Sequence, residues 1–308
     1  MSLVKNILSN IKFILPKIII QKIIQKAQLS EDKKFKKKLR NNIINFYKNS
    51  SEVTIEQKKV LTFLENNPVE IFPYDFRNNY SIDEINVLLD IESGLKYVMH
   101  YGKKLFFKRN ATDRSIKNLY YGLQLDQDKD SPHSYIAENF NLNSDDVLAD
   151  IGAAEGNFSL THIEKIKKVY LFENNPEWIE ALEMTFKPWK NKAEIINKFV
   201  TNSDSDNDIS LDSFNLKNKD ITFIKADIEG EEENLLKGAS DFLRQNKSLK
   251  IVICSYHKHD DETILKEILS NNNFQVEASN GFMIFIYDKF IKAPYLRRGV
   301  LRAVKNTL

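Results

Sequence analysis

The sequence predicts a doubly wound, Rossmann-like α/β fold, in which helices cover both faces of a mostly parallel sheet. From residue 147 onward, short apolar runs alternate with helical patterns, as in parallel strands joined by crossover helices. The first run, VLADIG, passes through a glycine turn into a helical pattern. Near its end the chain reads FQVEAS, Asn280-Gly281 and FMIFIYD, which predicts a terminal antiparallel hairpin. With 308 residues, 42% of them hydrophobic, about two structural units are expected.

Residues 1–50 predict a basic amphipathic helical extension. Apolar residues recur at helical spacing over residues 3–18, with lysines between them and Pro16 as a break. The segment does not predict a transmembrane span, because it contains no stretch of about 18 residues without lysine. It predicts either a helix on an anionic membrane face or a helix packed on the body of the protein. The hydrophobic pattern alone does not decide between the two.

Charge is distributed unevenly along the chain. Residues 1–50 hold 12 Lys and Arg against 2 acids, and residues 289–308 hold 6 and none. The segment between them holds 27 basic and 41 acidic residues. Basic ends on an acidic body favour contact with an anionic membrane over nucleic-acid binding, which would place basic residues on the body as well. The alternative is that the basic ends pack against the acidic body.

Residues 51–125 predict a small N-terminal α+β unit. It contains an amphipathic helix, EQKKVLTFLENN, and a hairpin, KYVMHYGKKLFFKR, that turns at Gly102. After it, Ser131 and Pro132 form a helix-start pattern. The main domain is predicted over residues 126–290, and residues 291–308 are predicted to be a basic C-terminal tail.

The glycine turn after the first strand predicts a nucleotide-like cofactor. Glycine lets the backbone approach a ligand closely at the start of a helix. A pyrophosphate-binding GxGxxG loop needs glycines at positions 152, 154 and 157, but the chain has Gly152, Ala154 and Asn157. The spacing of Asp150, Gly152 and Gly156 fits an S-adenosylmethionine turn better, since that cofactor carries no phosphate.

The second strand strengthens this interpretation. KVYLFENNP is apolar up to Glu173, 23 residues after Asp150, and then stops at Pro176. A carboxylate at the tip of the second strand can accept hydrogen bonds from both ribose hydroxyls. The strand-like runs EIINKFV, ITFIKADIEG and LKIVICSY complete a five-strand parallel sheet before the hairpin. That layout is the one found in class I methyltransferases.

Several segments together resemble the FkbM family of S-adenosylmethionine-dependent methyltransferases. They are DIGAAEGNFSL, VYLFENNP, FIKADIEGEEENLLKGA and YHKHDDE, and the likeness covers about residues 125–288. The family usually has Asn or a similar polar residue where this chain has Ala154. The resemblance implies methyl transfer to a hydroxyl, often on a sugar or glycan. A saccharide or glycolipid acceptor is therefore expected.

The resemblance also implies cofactor contacts. Asp150, Gly152, Gly156 and Asn157 would line the methionine end, Glu173 the ribose, and Phe199 and Val200 the adenine edge. The full set of cofactor-binding candidates is Asp150, Gly152, Ala153, Ala154, Glu155, Gly156, Asn157, Glu173, Asn174, Phe199 and Val200.

The catalytic candidates are Asp227 and His257. Transfer to an alcohol needs a base that removes the hydroxyl proton, and both residues follow strands whose carboxyl ends face the ligand in a doubly wound fold. His257 has the pKa suited to a base near neutral pH, with His133 as the second candidate. Glu231, Glu232 and Glu233 are expected only to offset a helix dipole. The spacing lacks a recognisable metal signature, so metal-free base catalysis ranks above a metal site.

The single cysteine, Cys254, excludes an internal disulfide framework and favours a reducing compartment. A cytoplasmic location is expected, with the inner membrane face as the surface that the basic ends would contact. Two alternative functions remain: a nicotinamide-dependent oxidoreductase, and a catalytically inactive, membrane-associated scaffold with the same fold.

Overall fold

A computed structural model describes residues 17–217, 220–288 and 290–305. Most of the predicted amphipathic segment at 3–18 lies outside these ranges. The described chain begins with α1, Lys17–Lys48, and α2, Ile55–Asn66. A three-stranded antiparallel sheet follows, built from β1, Leu88–Leu89, β2, Lys96–His100, and β3, Lys103–Phe106. The predicted hairpin is confirmed, since His100 pairs with Lys103 around Gly102.

The main domain alternates strands and helices as predicted. Its elements are α3 (Asp113–Asp126), β4 (Val147–Ile151), α4 (Asn157–His162), β5 (Lys168–Phe172), α5 (Pro176–Phe186), β6 (Ala193–Ile196), β7 (Phe199–Val200), β8 (Asp208–Ile209), α6 (Leu211–Lys217), β9 (Phe223–Ala226), α7 (Glu232–Lys237), α8 (Ser240–Gln245), β10 (Leu249–Cys254), α9 (Asp261–Asn271), β11 (Gln275–Ala278) and β12 (Val300–Lys305). The seven-stranded sheet runs β11-β12-β10-β9-β4-β5-β6. Its parallel part and its antiparallel end confirm the predicted doubly wound α/β fold.

The central strands are apolar on both faces because helices cover both. Every residue of β4 is buried, and Leu148 joins one hydrophobic cluster while Ala149 joins the other. The first cluster holds side chains of α3, α4 and α5, and the second holds side chains of α6 to α9. A continuous apolar run of this kind is the pattern expected for a strand buried on both sides. In this sheet the carboxyl ends of β9, β4 and β5 lie side by side.

The terminal antiparallel pair is formed by different residues from those predicted. β11 pairs with β12, not with FMIFIYD at 282–288. That segment is not a strand, apart from a single bridge between Met283 and Arg297. Phe282 and Ile284 pack instead against α1 and α2, in a cluster with Leu39 and Val60. The apolar alternation therefore serves to bury the N-terminal helices, which the local pattern could not reveal.

Two further predictions are corrected. The basic tail predicted at 291–308 is wrong for residues 300–305, which form β12 between β10 and β11. The helix predicted to start at Ser131 is a single turn, in which Ser134 donates its backbone N–H to the carbonyl of Ser131 at 3.1 Å. This turn matters for the site because it presents His133 and Tyr135.

The C-terminal part of α1 is anchored to α2. Leu39, Ile43 and Tyr47 are buried against it, and the Arg40 guanidinium donates to the carbonyls of Glu65 and Asn67 at the end of α2. Further toward the N-terminus, Leu29 and Phe35 are exposed. Over the described ranges, no helix has the length and apolar character that crossing a membrane requires.

Candidate functional site

A cavity of about 300 Å³ opens at the carboxyl ends of β4, β5, β7 and β9. Seven of the predicted site residues line it: Gly152, Ala154, Glu173, Asn174, Phe199, Val200 and Asp227. Trp178, Lys198 and Ile228, which the sequence did not single out, line it too. Ligands of doubly wound folds bind at this edge, so the cavity is the candidate cofactor site.

The glycine turn is bonded internally. The N–H groups of Gly152 and Ala153 donate to the Phe172 carbonyl at 3.1 and 3.0 Å, and that of Ala154 donates to Glu173 at 2.9 Å. The sequence had suggested that these N–H groups would meet the ligand. Because they are already used, the turn does not offer the free donors that a pyrophosphate requires. A cofactor without phosphate fits this turn better.

The two glycines of the turn are required by the protein's own packing. A Cβ on Gly152 would lie 2.0 Å from the Asp227 carbonyl oxygen, and one on Gly156 would lie 2.8 Å from Leu182 and from Phe186. Both glycines have positive φ, at 72° and 77°, a region that residues with a Cβ rarely adopt. Gly152 therefore brings the turn against the tip of β9.

Glu173 is positioned at the cavity by two backbone hydrogen bonds. One carboxylate oxygen accepts from Ala154 at 2.9 Å, and the other accepts from Asn175 at 2.7 Å. Each carboxylate oxygen can accept a second hydrogen bond, so both remain available for a pair of ligand hydroxyls. The placement suits the expected ribose contact, and it ties the glycine turn to the tip of β5.

Asp150 lies beneath the turn instead of lining the cavity. It is 1% exposed, its Oδ1 is 3.0 Å from Lys225 Nζ, and it accepts a hydrogen bond from Ser159 at 2.5 Å. Lys225 also donates to the Gly152 carbonyl at 2.8 Å. This differs from the expectation that Asp150 lines the methionine end: the carboxylate fixes the turn from below. Ala153, Glu155, Gly156 and Asn157 also do not line the cofactor cavity.

The cavity fits the nucleoside end of S-adenosylmethionine. Glu173 provides a carboxylate for two hydroxyls, while Phe199, Val200 and Trp178 provide apolar surface. The one lysine in the lining, Lys198, donates its ammonium group to loop carbonyls of Ser205 and Asp206. A cavity with an engaged cation and few free N–H donors suits a nucleoside without phosphate.

Asp227 stands between two histidines just beyond β9. Its carboxylate oxygens are 3.6 Å from His257 Nε2 and 3.8 Å from His133 Nε2, and it accepts a hydrogen bond from the Tyr135 hydroxyl at 2.9 Å. The structure thus brings together both catalytic candidates and the second candidate base. Tyr135 was missed by the sequence analysis because no local pattern shows that its hydroxyl reaches Asp227.

Glu232 is the most informative residue that the sequence analysis misjudged. It is fully buried, and one of its oxygens is 3.0 Å from His257 Nδ1 and accepts from the Ile228 N–H at 3.1 Å. Its other oxygen has no hydrogen-bond partner among the described residues. A first-turn acid that only offset a helix dipole would be solvated. Glu232 instead holds one ring nitrogen of His257, while the other faces Asp227.

The pKa values follow from this arrangement. Burial lowers the pKa of His257, but Glu232, Asp227 and Glu229 outweigh it, and the pKa of His257 is raised above 6.5. Burial raises the pKa of Asp227, but His133, Lys225, His257 and Tyr135 together lower it below 3.8. Burial lowers the pKa of His133 to about 4. At neutral pH, Asp227 is ionised and His133 is uncharged.

The buried acid Glu155 follows the glycine turn. Burial raises its pKa from 4.5 to about 7. Asp126, at the end of α3, has a pKa raised by burial and by the charges of Asp227 and Glu155. The site therefore concentrates carboxyl groups, with Lys225 as the cation among them.

Comparison with known families agrees with this geometry. The family model described as the methyltransferase FkbM domain matches residues 191–276, which span β6 to β11 and include Asp227, Glu232 and His257. Over these residues the chain is similar to the FkbM methyltransferase domain. The match confirms the FkbM resemblance predicted from the sequence over residues 191–276, and it supports S-adenosylmethionine as the cofactor. No match was found among curated proteins.

Solved structures similar to the FkbM domain are distant. Methyltransferase FkbM from Methylobacillus flagellatus KT is 19% identical, with a TM-score of 0.39, and the match covers 63% of this chain and 55% of that one. A putative transferase from Pyrococcus horikoshii is 14% identical, with a TM-score of 0.42 and 74% of each chain covered. M. jannaschii TYW2 in complex with AdoMet is 15% identical, with a TM-score of 0.38 and coverages of 74% and 89%. The chain thus spans about half the length of the Methylobacillus protein.

Proposed function

We propose that this methyltransferase transfers a methyl group from S-adenosylmethionine to a hydroxyl, on a saccharide or glycolipid of the bacterial cell envelope or capsule. The observation that carries the proposal is the placement of His257 between buried Glu232 and Asp227, beside the cofactor cavity. Hydroxyl methylation needs a base at this position, because an alcohol must lose its proton as the new bond forms. The family match supports a methyltransferase over a nicotinamide oxidoreductase.

In this proposal His257 removes the hydroxyl proton through Nε2. Glu232, at 3.0 Å from Nδ1, orients the ring and stabilises the imidazolium that results, as a carboxylate does beside a catalytic histidine. Arg297 holds the segment from behind by donating to the carbonyls of Tyr256 and His257 at 2.6 and 3.0 Å. Asp227, fixed by Tyr135, receives the acceptor hydroxyl. Glu173 would hold the ribose of S-adenosylmethionine, which when bound would supply the methyl group and leave as S-adenosylhomocysteine.

The proposal is tested by methyl transfer to saccharide fractions of the bacterium's envelope, with S-adenosylmethionine labelled in the methyl group. Replacing His257 by Ala is expected to reduce turnover by about 10² to 10⁴, the usual contribution of a general base. Cofactor affinity should stay within about twofold of wild type. His259→Ala, two residues away and only partly exposed, is the matched control. Turnover near wild type in His257→Ala assigns the base to Asp227 or His133.

The pH profile distinguishes these bases. With His257 as base, activity rises as the imidazole loses its proton, and the rise lies above pH 6.5 because the pKa of His257 is raised. Removing the charge of Glu232 by Glu232→Gln should move that rise to lower pH. With Asp227 as base, activity would be flat from pH 5 upward, because its pKa is lowered. A flat wild-type profile would contradict the assignment of His257.

We also propose that the N-terminal extension contacts an anionic membrane face from the cytoplasmic side. The exposed part of α1 combines Leu29 and Phe35 with exposed lysines at 33, 34, 37 and 38. An exposed helix with apolar and basic residues has the composition of a helix that lies on anionic lipid.

A further inference from the structure

A second cavity, of about 310 Å³, lies where the small N-terminal sheet meets the main domain. Its walls come from the turn between β2 and β3, from α3, from α4 and from the segment 134–141. Of the predicted site residues, only Asn157 lines it. The volume is within the range of small-ligand sites. The cavity therefore needs an explanation separate from that of the cofactor.

The lining carries no charge at neutral pH. None of the described residues that form it is Asp, Glu, Lys or Arg. Its two histidines, His100 and His162, are uncharged, because burial lowers the pKa of each to about 4. A charged ligand would find no ion-pair partner among the lining residues and would lose hydration. The cavity thus selects an uncharged ligand.

The lining is nevertheless rich in hydrogen-bonding groups. His100 is held rigidly, with Nδ1 at 3.1 Å from the Tyr120 hydroxyl and Nε2 at 2.7 Å from the Thr161 hydroxyl. Gln124 carries a buried side-chain oxygen that has no partner in the described part of the chain. Buried polar atoms are normally hydrogen-bonded, so this acceptor calls for a donor from a ligand or a water molecule. A hydroxyl group would satisfy it.

Aromatic rings complete the lining. Tyr101 stands at the tip of the hairpin, 77% exposed and with φ at 47°, and Tyr80 and Tyr120 lie on the same cavity. Aromatic faces bind the apolar face of a ring, while amide and hydroxyl groups bind its polar edge. A sugar ring offers both kinds of surface, whereas a purely apolar ligand would leave the amide groups unpaired.

The cavity is adjacent to the acceptor side of the proposed catalytic site. Phe158 lines the cavity, and its ring packs 5.2 Å from the ring of Tyr135, whose hydroxyl bonds to Asp227. One pair of rings therefore separates the cavity from the catalytic residues. We propose that the cavity binds an uncharged sugar unit of the acceptor, apart from the unit that is methylated. This inference rests on the proposed function for the identity of the acceptor.

The test is saturation-transfer difference NMR on the full chain with saturating S-adenosylhomocysteine. The probes are the methyl glycosides of glucose, galactose and rhamnose, N-acetylglucosamine, and glucuronate as a charged probe. At least one neutral sugar is expected to bind, and glucuronate is not. Gln124→Ala should weaken the neutral sugar by about two- to twelvefold, the effect of losing one neutral hydrogen bond.

Two further variants locate the binding. Tyr101→Ala should weaken the same sugar, whereas Tyr101→Phe should retain most of the affinity because it keeps the ring. Ile91→Ala, an exposed apolar residue near the same small sheet, is the matched control and should bind as wild type does.

Three results overturn the inference: no binding by any neutral sugar, binding unaffected by both Gln124→Ala and Tyr101→Ala, or equal binding of glucuronate. A repeat without S-adenosylhomocysteine adds a fourth: stronger sugar binding in its absence would place the sugar in the cofactor cavity and overturn the inference too. Failure of the proposed function has a different signature. In that case the protein would transfer no methyl group to any envelope fraction, while sugar binding at Gln124 and Tyr101 would remain intact.

Discussion

Replacing Glu173 by Ala tests the cofactor site most directly. The carboxylate has both oxygens at the cavity and is proposed to accept from both ribose hydroxyls. One hydrogen bond to a charged group contributes about 1.5 to 3 kcal/mol. Losing that much corresponds to about 10- to 150-fold weaker binding of S-adenosylmethionine. Glu173→Ala also leaves the N–H groups of Ala154 and Asn175 without partners. Since the glycine turn then loosens, the upper half of the range is expected.

Titration calorimetry with S-adenosylmethionine measures this effect. Glu177→Ala is the matched control, because that acid lies four residues further along the chain, in the first turn of α5, and outside the cavity. Glu173→Gln keeps one side-chain oxygen and should fall between the wild type and Glu173→Ala. Thermal unfolding of each variant shows whether the fold persists. Affinity within twofold of wild type in a folded Glu173→Ala protein would refute the ribose assignment.

Three further predictions concern stability and membrane contact. The pKa of Glu155 is raised from 4.5 to about 7 in the folded protein. Its ionisation therefore destabilises the fold as pH rises from about 4.5 to 7. At pH 8, the free energy of unfolding of Glu155→Gln should exceed that of the wild type by about 3 kcal/mol. In denaturant unfolding that gain should vanish near pH 4.5, and an equal gain at both pH values would contradict it. Gly152→Ala should lower the melting temperature far more than Gly102→Ala. The positive φ costs about 1 to 2 kcal/mol at both positions, but only the new Cβ at position 152 would meet a backbone atom, at 2.0 Å. Equal effects of the two substitutions would count against the packing argument. Deleting residues 1–38 removes Leu29, Phe35 and the exposed lysines and spares buried Leu39 and the contact of Arg40 with α2. This deletion should abolish sedimentation with anionic vesicles without changing cofactor affinity. Equal sedimentation of both forms, or none by the intact protein, would exclude the membrane role.

The parallel part of the fold was predictable from sequence because its signal is local. A continuous apolar run such as β4 forms a strand wherever helices cover both faces of a sheet. The segment at 282–288 has a similar pattern, but its apolar side chains are used by α1 and α2. Which distant surface buries an apolar segment is a tertiary property. For the same reason, the sequence analysis placed the partner strand of β11 at residues 282–288, whereas the strand that pairs with it is β12, at residues 300–305.

The candidate site was predictable where its polar residues come directly after an apolar strand. Glu173 and Asp227 each follow an apolar run, and both line the cavity as expected. Glu232 carries the same sequence signal as its solvated neighbour Glu233, and only burial beneath His257 distinguishes them. Tyr135 reaches Asp227 across 92 residues of sequence. Contacts of that range are set by packing, so a single sequence does not contain a local sign of them.

The last strand has a consequence for biosynthesis. β10 and β11 do not pair with each other, and β12 fills the gap between them. From β12, Arg302 also donates to the carbonyl of Tyr135 at 3.2 Å, on the segment that presents His133 and Tyr135 to Asp227. On the ribosome, the strands around the cofactor cavity emerge first, and those of the acceptor side are completed only by residues 300–305. The acceptor side of the site is therefore complete only after residues 300–305 have been synthesised and have paired between β10 and β11.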